Sequence, residues 1–92
     1  HVLPPEFRRD DLARGVLIRL VHKLAVRLRH LRLWAKSAEV QISFLGSGHW
    51  RDFSQLSPTQ DTLTFIHAVN ELWRRKPPGK VLKVGVVFSD LT

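Results

Sequence analysis

Cations and short hydrogen-bond donors, rather than acids and bases, are the side chains through which this sequence of 92 residues could act. Lys83, Arg51 and His49 supply the positive or protonatable groups, and Gln41, Ser43 and Ser54 stand beside them in strand-like stretches. Phosphate oxygens accept from hydroxyls, amides and guanidinium groups alike, and contacts of that kind hold register on a duplex without reading its sequence. Catalysis asks for more: a nucleophile with its base, a carboxylate pair, or metal ligands at workable spacing. Asp10 and Asp11 are adjacent and point in different directions from a helix start, so they read as caps. His22 and His30, eight residues apart, would meet His67 only through an accident of folding. Gly46-Ser47-Gly48 lacks the later glycine and the lysine of a phosphate loop and suits a hairpin turn. No catalytic residue and no metal ligand emerges, and the chain by itself reads as no enzyme.

The formal charge of +7 favours polyanionic partners. With no cysteine, disulfides, thiolate metal sites and cysteine nucleophiles are excluded together, which fits a reducing, cytoplasmic setting. No apolar run is long enough to span a bilayer, so no membrane is expected as a partner. The sequence opens at His1 without Met or a signal-like region, and it reads as a piece of something longer. At this length one hydrophobic core must serve all 92 residues, which form a single domain.

The elements that must position these donors follow from periodicity. His1-Val2-Leu3 before Pro4-Pro5 allows only a short edge strand. From Asp10 to about Ala35, Leu12, Val16, Leu17, Leu20, Val21, Leu24, Leu28 and Leu31 recur at helical steps, with Gly15 read as a mark of close packing. Val40, Ile42 and Phe44 alternate with polar neighbours in a strand, and His49 to Leu56 returns from the turn. Trp50 and Phe53 differ in parity there, which requires a bulge or one exposed aromatic. Ser57-Pro58-Thr59-Gln60 and Asp61 offer two starts for a second helix, whose stripe is Phe65, Ile66, Val69, Leu72 and Trp73. Leu82, Val84, Val86 and Phe88 mark the last strand. The expected fold is α+β, a single βαββαβ domain with a four-stranded antiparallel sheet, both helices on one face and the other face open.

The open face would carry Gln41 and Ser43 from one strand, some of His49, Arg51 and Ser54 from the next, and Lys83 from the last. A second basic surface, Arg19, Lys23 and Arg27 at four-residue steps, lies on the long helix. It reads as a solvated face, because Leu17, Leu24 and Leu28 are needed in the core and leave no apolar side for lipid. Two alternatives to duplex DNA stand beside this reading. One is an RNA-binding module of ferredoxin-like outline, and the other is a protein-interaction domain using an exposed Trp50 or Phe53.

With the elements placed, the chain resembles the little finger domain of Y-family, lesion-bypass DNA polymerases over essentially its whole length. Leu82-Lys83-Val84-Gly85-Val86-Val87-Phe88-Ser89-Asp90-Leu91 is similar to that family's closing strand, and Gln55 to Thr62 to its lead-in to the second helix. Leu28-Arg29 with Val40-Gln41-Ile42 matches the family's helix-to-strand passage. The resemblance implies a non-catalytic module, residues 1–92, that grips primer-template DNA in translesion synthesis and DNA repair, in the bacterial nucleoid. The parent chain it implies is a DNA-directed DNA polymerase, a nucleotidyltransferase, or an inactive relative; the remaining polymerase domains would be partners, with magnesium in the palm and no cofactor in these residues. DNA contacts are implied for Lys83, Gln41 and Ser43, and for Arg51, Ser54 and His49 in the hairpin. Glu39, Asp52 and Val87 depart from the family's basic pattern and imply a weaker grip. The sliding clamp is a further implied partner: Gln55-Leu56-Ser57 is similar to the start of a clamp-binding peptide, whereas Pro58-Thr59 departs from its hydrophobic ending.

Overall fold

Apolar residues at three- and four-residue steps wind Asp10–Leu31 into helix α1, which buries Ala13, Val16, Leu17, Val21, Ala25 and Leu28. The computed structural model describes residues 1–46 and 48–92, so Ser47 of the expected turn lies outside the described residues. Helix α1 ends before the expected Ala35 because Arg32 adopts a left-handed conformation, φ 57°. The N–H of Arg32 then donates to Arg29 C=O at 3.2 Å and that of Leu33 to Leu28 C=O at 3.0 Å, the paired bonds of a left-handed helix stop. Leu12 and Leu31, counted in the apolar stripe by spacing, are exposed at its two ends. Neither Asp10 nor Asp11 caps the helix by a side-chain hydrogen bond; Arg9 is the capping residue, and both carboxylates sit in the first turn, where they favour the positive end.

Strand β1, Ala35–Phe44, runs up the middle of the sheet and is antiparallel to β2, Gly48–Thr59, on one side and to β3, Val81–Ser89, on the other. Between them, helix α2, Thr62–Arg75, starts at Asp61, whose carboxylate accepts from Thr64 N at 2.9 Å. Asp61 is thus the start the chain uses, and Ser57-Pro58-Thr59 stays in β2. Pro58 is tolerated because β2 is an edge strand and its register against β1 shifts between Ala35 and Ser37.

The α+β class and the antiparallel pairing follow the expected outline, but the sheet has three strands, not four. Val2 makes only an isolated bridge to Lys83, with Leu3 N donating to Leu82 C=O at 2.8 Å. Pro4 and Pro5 stop the ladder there and bend the chain into a single 3-10 turn, Pro5–Phe7.

Both helices lie on one face: α1 packs on β3, and α2 on β1 and β2. Val40, Ile42, Phe44, Phe65, Leu72 and Val84 fill the layer between, and the rings of Phe65 and Phe88 stack with centroids 4.0 Å apart. Lys76 ties the helices together at one end, its Nζ 2.7 Å from Asp10 and 4.9 Å from the Trp73 ring centre.

Candidate nucleic-acid interface

Side chains alternate across a strand, so register decides which residues share the uncovered face. Val40, Ile42 and Phe44 of β1 face the helices, and Glu39, Gln41 and Ser43 face away. Pairing extends that assignment to the neighbours in three rows. Ser43 stands between His49 and Lys83, Gln41 between Arg51 and Gly85, and Glu39 between Phe53 and Val87. Five of the six expected contact residues therefore share one surface: Lys83, Gln41, Ser43, Arg51 and His49. Ser54 does not. It pairs with Ala38 and takes the parity of the helix-covered face, because the hairpin alternation places 49, 51 and 53 outward and 54 inward.

The first two rows enclose a shallow concavity of about 470 Å³ whose rim is Lys83, Ser43, His49, Arg51 and Gln41 and whose floor includes Gly85. Gly85 keeps that floor low, since a Cβ there would stand 3.7 Å from Gln41 Oε1 and fill part of the hollow. Ser43 Oγ and His49 Nδ1 are hydrogen-bonded at 2.7 Å, which ties two outward side chains across the β1–β2 pair. Neither Lys83 nor Arg51 joins any of the ion pairs among the described residues, which are Arg9–Asp11, Arg74–Glu71, Arg75–Asp52 and Lys76–Asp10. Asp52, expected to weaken the grip, lies on the helix side of the sheet against Arg75 at 3.3 Å. Glu39 does face outward, and Gln41 Nε2 donates to it at 2.6 Å.

The parity conflict between Trp50 and Phe53 resolves as one exposed aromatic. Trp50 packs half-buried against the core, and Phe53 is 54% exposed on the open face, across Glu39 from Val87 at 41%. The open face is thus divided into a cationic, donor-rich half and an apolar half with one carboxylate. Gly85 belongs to the site although charge and polarity did not mark it; its parity with Lys83 is the signal that places it there.

Elsewhere, Arg19, Lys23 and Arg27 are exposed on α1; Arg19 and Lys23 line a groove with His1 and Leu3, and Arg27 lines another with Val86 and Phe88 of β3. His22 and His30 flank Val26 in a surface groove of that helix, and His67 lies on α2. Among the described residues no group of three or more His, Asp or Glu could hold a metal ion. Gln55-Leu56-Ser57 lies within the edge strand β2. No helix is long and apolar enough to cross a membrane.

The described residues thus form a two-layer α+β domain with one sheet face uncovered and with cations and small donors on that face. The chain belongs to the impB/mucB/samB family C-terminal domain, whose family model matches residues 1–92; this is the little finger domain of Y-family polymerases. That membership supports the theme of DNA repair and translesion synthesis for the chain as a polymerase C-terminal module. No curated protein matches the chain.

Proposed function

We propose that the uncovered sheet face is a sequence-tolerant grip on the duplex part of primer-template DNA, serving a lesion-bypass polymerase without taking part in its chemistry. The observation that carries this reading is the placement of Lys83 and Arg51, both outside any ion pair among the described residues, around one concavity of an exposed face. Family membership supplies the context, and the donor types supply the mechanism. The ammonium and guanidinium groups attract phosphate, the hydrogen-bonded Ser43–His49 pair adds a short donor beside them, and none of these groups reads a base edge. Partners in this reading are duplex DNA and the remaining domains of the parent polymerase, with the nucleoid as the working place.

Charge reversal tests the location. Lys83→Glu and Arg51→Glu should each weaken binding to a labelled DNA duplex by about tenfold, and more than Arg19→Glu or Lys23→Glu does. The reverse ranking would move the contact to the outer face of α1. Phe53 supports a second reading, single-strand binding by stacking, because it is the exposed aromatic of this face. Tighter binding to single-stranded RNA than to duplex DNA, lost on Phe53→Ala, would favour it.

A further inference from the structure

Gln41 stands at the centre of the open face, and Glu39 holds its amide. The two are two residues apart on β1, on the same side of the sheet, with Gln41 Nε2 at 2.6 Å from Glu39 Oε2. An ionised carboxylate only accepts hydrogen bonds, so the contact requires the NH2 group of the amide to turn toward Glu39. The carbonyl oxygen is then directed over Gly85, 3.7 Å from where a Cβ on that residue would lie. The concavity rimmed by Lys83, Arg51, Ser43 and His49 is consequently faced by an acceptor oxygen at its middle, where a phosphate would need a donor. Glu39 lies between Phe53 and Val87 and has no ion pair among the described residues, Arg51 standing one row away beside Gln41.

We propose that Glu39 is a latch that limits the affinity of this face. It withholds the Gln41 donor and presents the Gln41 carbonyl, so that Lys83, Arg51, Ser43 and His49 hold the phosphate while Gln41 contributes only when Glu39 lets go. The inference rests on the reading that this face binds DNA phosphates. It assigns Glu39 a positioning role acting through Gln41, distinct from simple repulsion of phosphate by a carboxylate, and the two mechanisms make different demands on Gln41.

The test is a double-mutant cycle in the 92-residue chain, read by anisotropy of a labelled DNA duplex at fixed salt. Glu39→Ala should tighten Kd by about threefold to tenfold, the range for releasing a charge-assisted donor at a partly exposed site. Gln41→Ala alone should leave Kd within about twofold, because its donor is already engaged; in the Glu39→Ala background it should abolish most of the gain. An equal gain in both backgrounds would mean that Glu39 acts by repulsion alone and would overturn the latch, as would no gain at all. Glu39→Thr, a residue suited to the middle of a strand, repeats the cycle should Ala lower the melting temperature. Lys83→Glu in the same series separates the two levels of the argument. If it leaves duplex affinity unchanged, the DNA-binding reading itself fails; if it weakens binding while the Glu39 variants do nothing, only the latch falls.

Discussion

Gly15 and Gly79 predict opposite outcomes for one substitution. Gly15 lies exposed inside α1 with nothing within 4 Å of a Cβ, so its backbone freedom costs helix stability and returns no packing. Gly15→Ala should therefore raise stability by about 1 kcal/mol, with a matching rise in Tm. Gly79 has φ 149° and would place a Cβ 2.9 Å from Cδ1 of the Phe44 ring. Gly79→Ala should lower stability by about 1–3 kcal/mol, since both the backbone conformation and the ring must give way. A thermal melt of the two variants checks the pair, and a stabilised Gly79→Ala would refute the account. Helical periodicity identifies Gly15 as a cost but not its cause: the close packing expected there is absent, and the close approach occurs instead at Gly79, through a contact between residues 44 and 79 that no local pattern contains. The site residues divide in the same way. The placement of Lys83, Gln41 and Ser43 on the uncovered face is legible because their strands alternate cleanly. Ser54 is misplaced because hairpin parity depends on where the turn begins.

At the scale of elements, helix starts and strand ends are where local signals compete. The second helix has two possible starts in the sequence, and the structure settles on Asp61, which accepts from both the Thr64 N–H and its hydroxyl, the latter at 2.8 Å. Those bonds hold the Asp61 carboxyl below its ordinary pKa, the Thr64 hydroxyl contributing most and the N–H next, with Arg29 and His67 assisting and burial opposing. A carboxyl lowered on folding stabilises the native state above its unfolded pKa, and that contribution is lost as pH falls through the folded value. Asp61→Ala should accordingly lower Tm at neutral pH, and the gap to the unmodified chain should narrow in acid as the native cap itself takes up a proton. A gap that stays constant down to strongly acid pH would show that the carboxylate charge plays no part in the cap. The helices and the central strand were legible because their apolar periods are long. The expected first strand shrinks to a single bridge: Val2 and Leu3 satisfy an edge, but the two prolines leave room for no more. The left-handed stop at Arg32 left no mark either, since glycine or asparagine is the residue that announces one.

At the scale of the whole molecule, the excess charge is not spread evenly over partners. Asp10, Asp11, Asp52 and Glu71 are engaged by cations and Asp61 as a cap; of the other three acids, Glu6 and Asp90 lie outside the strands and Glu39 lies within the open face. Among the cations that join none of these ion pairs, Lys83 and Arg51 lie on the sheet and Arg19, Lys23 and Arg27 lie on α1. Salt dependence separates these sides, because each phosphate neutralised releases condensed counterion and steepens the fall of affinity with salt. If the sheet engages about four phosphates, the log-log slope of duplex affinity against salt should be near −4. Removing Lys83 and Arg51 together should make that slope shallower by about 2, whereas removing Arg19 and Lys23 should lower affinity little and leave the slope nearly unchanged. A slope that stays near its original value without Lys83 and Arg51, or that collapses without Arg19 and Lys23, would place the duplex against the helices. The uncovered sheet would then need another partner, one that tolerates Glu39 and uses the exposed ring of Phe53.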